Sequence, residues 1–335
     1  MAVTKQDIAN YLGVSRTAVS LALNQSPKCT LSEKSRRRIF EAAKELGYPL
    51  EQSAGPGSTK KICVATFNME EKAAKLTGQA SLNAIDDYLA GKGYNVVYLN
   101  VGRSERSLKR FYEYVESGEA AGVILLCLLD PAVLEHLNGC NVPYIVFSEM
   151  EEAYPNCCTI DGEYAAEQIT ERLISLGHRR IAFFACDLDY PQQRHLLAGY
   201  RAVLEREGLP YDPALVQVSR EEDGRELASR MDFLGVQYTA ALCSNSVIEL
   251  GALGWLNAHG VRVPEDVSLL GYGYNDLVTL SRPVLSVFDS DEYILCGLPQ
   301  LMESIESGKK DYPCQKIRTG HFFAGETIAS ARTGK

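Results

Sequence analysis

The sequence predicts an α/β protein in two parts: an N-terminal three-helix helix-turn-helix domain, then a two-lobed body built on parallel sheets. Three observations predict it. Residues 1–50 carry two helix starts around a tight glycine turn and then a third helical segment; residues 51–60 hold no branched apolar or aromatic side chain; beyond them, short β-rich runs alternate with helical periodicity in two successive rounds. The 335 residues suffice for two or three domains.

In the head, Thr4-Lys-Gln-Asp7 reads as a capped helix start, after which Ile8, Tyr11 and Leu12 share one helical face and Gly13 stops the helix. Ser15 is placed to cap a second helix from Arg16 to about Leu23. Ala9, Gly13 and Val19 occupy the positions that a helix-turn-helix constrains most: a small residue at the crossing, a glycine in the turn and a branched wedge between the helices. Thr30-Leu-Ser-Glu33 opens a third helix, with Leu31, Ile39, Ala43 and Leu46 at helical spacing and Gly47 as its end. In this geometry the start of the second helix enters the major groove. Thr4, Ser15, Arg16, Thr17, Ser20 and Leu21 are therefore candidates for base edges and phosphates, and Asn24 and Lys28, just beyond, for phosphates. Arg36, Arg37 and Arg38 read as a solvated face of the third helix.

Charge divides the chain in the same place. Residues 1–61 carry ten basic and five acidic side chains, whereas the whole chain has a net charge of −9. A basic head on an acidic body suits a module that needs local positive charge against phosphates. The amino terminus lacks a basic-then-apolar leader, and apolar runs such as residues 122–129 are far shorter than the roughly 20 residues of a membrane span, so a cytoplasmic chain without a membrane partner is expected. Ten cysteines then read as buried thiols rather than disulfides. Cys157-Cys158 and the His136 to Cys140 spacing hint at redox or metal chemistry, but neither repeats as a paired motif, so no metal site and no cofactor is expected.

In the body, strands are expected at residues 62–67, 96–99, 123–126 and 144–147, with helices near 77–91 and 104–116. The second round places strands at 181–184, 216–218, 240–243 and 268–270, and helices from about 160 to 175 and near 192–207, 224–234 and 245–258. Two similar lobes imply a ligand cleft at the strand ends. No glycine-rich phosphate loop follows any strand, and Gly271-Tyr-Gly273 lacks a third glycine, which disfavours a nucleotide-dependent enzyme. His178 has no accompanying nucleophile motif, and Trp255 sits among leucines; both read as structural.

Val3-Thr-Lys-Gln-Asp-Ile-Ala9, Gly13-Val-Ser15, Val19-Ser20, Leu23-Asn24 and Glu41-Ala-Ala-Lys-Glu-Leu-Gly-Tyr48 resemble the head of a LacI/GalR-type transcriptional regulator. The body resembles the periplasmic-binding-protein-like effector domain of that family through Gly177-His-Arg-Arg-Ile181, Arg194-His-Leu-Leu-Ala-Gly-Tyr200, Cys243-Ser-Asn245 and Arg262-Val-Pro-Glu-Asp-Val-Ser268. The resemblance implies a DNA-binding domain at 1–50, a linker or hinge at 51–61, and an effector-binding and dimerisation domain at 62–335. Lobe 1 would take about 62–160 and 291–317, lobe 2 about 161–290 and 318–335. It also implies a homodimer on double-stranded operator DNA, controlled by a small-molecule effector, a sugar or related metabolite.

By the same resemblance Arg194 and Asn245 contact the effector, with Tyr190 close by, and Phe67, Asn68, Ser246, Tyr272 and Gly273 complete the expected set. Ser246 and Gly273 stand where the family often has aspartates, so two hydroxyl acceptors are missing. Asp161, Asp276 and Asp289 are candidates to compensate, although Asp161 reads equally as a helix cap. The linker carries Ala54-Gly-Pro-Gly57 where relatives form a hinge helix with a leucine wedge, so weaker operator bending is expected. The competing readings are a solute-binding protein, a cleft enzyme and a thiol sensor using Cys157 and Cys158.

Overall fold

The computed structural model describes residues 3–23, 31–48, 60–67, 72–102, 104–128, 130–140, 142–150, 153–290, 292–309 and 311–332. Asn24, Lys28, Thr30, Asn68 and residues 51–59 of the linker lie outside them. The chain forms two units, Met1–Lys60 and Lys61–Lys335.

The first unit is three helices: α1 (Lys5–Leu12), α2 (Arg16–Leu23) and α3 (Glu33–Glu45). Thr4 and Asp7 make the reciprocal capping box of α1, and Gly13 ends it in the left-handed conformation at φ 67°. Ser15 accepts from the Ala18 amide at 3.1 Å, and Ser32 caps α3 by accepting from the Ser35 amide at 3.3 Å. Ile8, Ala9, Val19, Ala22, Ile39 and Ala43 are buried together, and this shared apolar contact is what orders three helices too short to be stable alone.

In the second unit, β1 (Lys61–Thr66), α4 (Lys72–Gly91), β2 (Asn95–Asn100), α5 (Glu105–Glu116), β3 (Gly122–Leu126), α6 (Ala132–Cys140), β4 (Tyr144–Phe147) and β5 (Cys157–Ile160) make the first lobe. The chain then runs through α7 (Gly162–Ser175), β6 (Ile181–Ala185), α8 (Pro191–Arg206), β7 (Val216–Val218), α9 (Gly224–Phe233), β8 (Ala240–Cys243), α10 (Ser246–Ala258), β9 (Ser268–Tyr272), α11 (Asp276–Leu280) and β10 (Val287–Asp289). It closes with α12 (Tyr293–Ser307), β11 (Gln315–Ile317) and β12 (His321–Phe323).

The two sheets repeat one order, β2-β1-β3-β4-β5-β11 and β7-β6-β8-β9-β10-β12, so the chain passes between them three times. Among the described residues all pairings are parallel except β10 with β12. Strands of both sheets are apolar on both faces because helices cover each side, as in Gly122–Leu126 and Ile181–Ala185. The strand order reverses beside β1 and beside β6, the switch points at whose carboxyl ends such folds bind ligands.

Candidate DNA-binding and effector sites

At the head, Arg16 and Thr17 open α2 and are exposed, while Ala9 and Val19, on the inner faces of α1 and α2, are buried. The helix start is thus presented by a fixed scaffold. Ser15 and Thr4 are exposed, but their hydroxyls are engaged as caps. Ser20 is half-buried and accepts from Lys5 Nζ at 3.5 Å, so α1 brings a lysine beside the second helix that its sequence position did not advertise. Leu21 packs partly into the core, which suits a wedge more than a base contact. Arg37 pairs with Glu41 on the exposed face of α3.

In the second lobe the carboxyl ends of β6, β7 and β8 bring polar groups together. Asn245 caps α10 by accepting from the Ile248 amide at 2.8 Å, and its Nδ2 donates to Cys186 Sγ at 2.9 Å and Glu222 Oε1 at 3.3 Å. Glu222 is buried at φ 49°. Arg220 spans Asp187 and Asp189 at 3.2 and 3.6 Å. Tyr190 precedes α8 as its N-cap residue, and Arg194, one turn on, donates to the Leu188 carbonyl at 2.6 Å. Beyond β9, the Tyr272 hydroxyl meets Ser290 Oγ at 2.7 Å, Gly273 turns at φ 81°, and Asp289 accepts from the Tyr274 amide at 3.1 Å.

Two residues of the expected set are buried. Phe67, just after β1, is 5% exposed and packs edge-on against Phe111 in the first lobe's core. Ser246 is buried and accepts from Asn275 Nδ2 at 2.5 Å, joining the starts of α10 and α11. Asp161 is both a cap and an ion partner: it accepts from the Tyr164 amide at 3.2 Å and pairs with Lys316 and Arg318 of β11 and the turn after it. Asp276 is exposed at the start of α11.

Sequence reasoning missed Glu149, His195 and Glu222. Glu149, after β4 of the first lobe, is hydrogen-bonded by His195 of α8 in the second. The imidazole is pushed above its ordinary pKa first by that hydrogen bond and by the carboxylate's charge, against burial and Lys316.

His178 is a structural group, bonded at 3.0 Å to Thr239 Oγ1 and at 3.1 Å to Ser268 Oγ and the Ala329 carbonyl, and burial lowers its pKa. Trp255 stacks on His259. Cys157 and Cys158 enter different cores on opposite faces of β5, and burial pushes both thiols up to about 12. Neighbours on opposite faces of a strand are poorly placed to pair, and groups with so little thiolate make poor redox sensors. No helix among the described residues is long and apolar enough to cross a membrane.

Residues 4–49 match the family of bacterial regulatory proteins of the lacI type, and residues 170–292 match a periplasmic binding protein-like domain. Over 335 residues the chain is 28% identical to the HTH-type transcriptional regulator CelR of Thermobifida fusca, covering 97% of this chain and 98% of CelR. The solved complex of CelR with cellobiose superposes with a TM-score of 0.71 at 26% identity, covering 97% and 99% of the two chains. The Lac repressor dimer bound to operator and the anti-inducer ONPF gives 0.67 at 25% identity, covering 98% and 100%.

Proposed function

We propose that this chain, which belongs to the LacI family of bacterial transcriptional regulators, is a cytoplasmic repressor that binds a palindromic operator as a homodimer and releases or grips it according to a small molecule held by the body. The observation that carries the reading is the exposed start of α2, with Arg16 and Thr17 outermost on a buried Ala9–Val19 crossing. That helix start has the form needed to enter a major groove. One short recognition helix reads few base pairs, so two heads on a palindrome roughly add their binding free energies and give useful specificity.

The effector is a sugar or a related hydroxyl-rich metabolite, as in the cellobiose complex of CelR. Arg194 offers a planar fork of donors, and Asn245, Glu222, Tyr272 and Asp289, at or just beyond the carboxyl ends of β7 to β10, supply donors and acceptors. Glu222 and Asp289 are the carboxylates left to accept sugar hydroxyls where Ser246 and Gly273 replace the usual aspartates. Ligand control follows if the molecule binds one arrangement of the lobes better than the other. The cleft is read as a binding site and not as a catalytic one.

Selection of bound DNA from a random library tests the function before any effector is known. A palindromic motif with half-sites about one helical turn apart is the expected result, and enrichment of no motif overturns the reading. Calorimetry with cellobiose and with sugar phosphates then separates neutral from charged effectors.

A further inference from the structure

The His136 to Cys140 spacing acquires a third member in the folded chain. These residues lie one turn apart on one face of α6, and Glu116, the last residue of α5, closes the group. Its carboxylate is 3.1 Å from His136 Nε2, and the carboxylate, imidazole and thiol ligand atoms all lie within 4.8 Å of one another. The His136 ring is stacked on Tyr112 with centroids 3.8 Å apart, which fixes the direction of its nitrogen. That nitrogen is shielded from solvent, yet it does not meet Glu116 in hydrogen-bonding alignment. A carboxylate, an imidazole nitrogen without an aligned partner and a thiol therefore converge on one point.

We infer that Glu116, His136 and Cys140 form a binding site for a borderline divalent cation of the Zn²⁺ class, with the fourth position left to water. The donor set selects the ion. Thiolate and imidazole suit Zn²⁺ or Co²⁺, whereas Mg²⁺ and Ca²⁺ require oxygen shells. Bonds of about 2.0–2.3 Å place tetrahedral ligand atoms roughly 3.3–3.8 Å apart, so the pair at 3.1 Å must open slightly and the thiol draw in, a small adjustment for side chains that are not buried. The charges also balance, since a thiolate and a carboxylate neutralise a divalent ion. Burial and the Glu116 charge raise the Cys140 thiol above its ordinary pKa, so the metal-free thiol stays protonated and the ion displaces that proton to solvent on binding. The site lies toward the amino ends of the central strands: Lys61, the first residue of β1, pairs at 3.0 Å with Glu119, three residues beyond Glu116.

The test is a Co²⁺ titration of the reduced, metal-free full chain, followed by competition with Zn²⁺. One equivalent per chain should bind with a thiolate charge-transfer band, and Zn²⁺ should displace it. Cys140→Ser should abolish the band. His136→Gln and Glu116→Gln should each weaken binding by at least the ~10- to 100-fold that loss of an outer-shell partner costs. Glu116 is half-exposed at a helix end, so its variant keeps the test available should Cys140→Ser fold poorly. Absence of a saturable band, persistence of the band in Cys140→Ser, or unchanged affinity in Glu116→Gln would each overturn the assignment.

Discussion

His195 Nδ1 and Glu149 share a hydrogen bond that ties α8 of the second lobe to the end of β4 in the first. Glu149 is almost wholly buried, and a Cβ on Gly162 would come within 3.0 Å of its carboxylate, so the backbone at the start of α7 leaves room for this pair and little else. The contact links the two lobes, and it lies one residue from Arg194.

This pair sets a pH dependence. His195 has its pKa raised above 6.5, chiefly by Glu149, so the contact is fully present below that value and is lost as the pH rises through the higher folded-state pKa. Lys316 and Glu163 also face the ring and oppose each other. Melting temperature should therefore fall as the pH rises above about 6.5 in the parent, and His195→Gln should flatten that slope. An identical slope in the variant would remove His195 from the account.

A pair of glycines tests the packing. A Cβ on Gly199 would sit 2.1 Å from the Glu163 carbonyl where α8 crosses α7, whereas a Cβ on Gly139 of α6 meets nothing within 4 Å. Gly199→Ala should cost about 3 kcal/mol or more, because two helix backbones must separate. Gly139→Ala should stabilise by roughly 0.5–1 kcal/mol through helix propensity alone. Urea melts of the two variants check opposite signs for the same chemical change.

Arg16→Ala should cost about 1–3 kcal/mol on the selected operator if the guanidinium reads a guanine, with specificity relaxed at one position in each half-site. Binding to random DNA should change much less. Equal losses on both DNAs, measured by fluorescence anisotropy over a salt series, would reduce Arg16 to a phosphate contact.

For the body, Arg194→Ala should abolish the response to the effector while operator binding by the heads persists. Glu222→Gln should weaken effector binding and leave the fold intact, since the amide can keep accepting from Asn245 through its oxygen. Calorimetry on both variants decides the assignment, and parental affinity in Arg194→Ala would refute it.

Local signals were legible in the sequence, and cross-chain ones were not. Caps and glycine stops around α1 and α2 depend on a few adjacent residues and put Arg16 at the start of α2, whereas the cap of α3 is Ser32, two residues beyond the expected Thr30. By contrast, α12 contains Gly297 and Pro299, which discourage a helix in isolation, yet it forms by packing on β4 and β5. The short α6 was also passed over, and with it the face that carries His136 and Cys140. The resemblance puts Phe67 in the effector set, whereas its packing against Phe111 is a contact between distant residues that no local pattern shows. Glu149 and His195 are 46 residues apart, and only the passage of the chain between the sheets brings them together.

Glu249 lies fully buried on α10 beneath the second sheet. Its Oε1 accepts from Thr327 Oγ1 at 3.1 Å, Thr327 in turn accepts from the Ser286 amide at 2.8 Å, and Oε2 packs where a Cβ on Gly271 would be only 2.2 Å away. Burial outweighs the hydrogen bond from Thr327 and raises the carboxyl well above 4.5. A raised acid binds its proton more tightly when folded, so its contribution is fully present below about pH 4.5 and is lost as the pH climbs toward the folded-state value. Glu249→Gln keeps the shape and the acceptor oxygen but has no proton to lose. The variant should match the parent in urea melts near pH 4 and exceed it at pH 7, the gap widening steadily between. A constant gap across that range would mean that folding leaves the Glu249 pKa unshifted, and that the stability of this lobe owes its pH dependence to other groups.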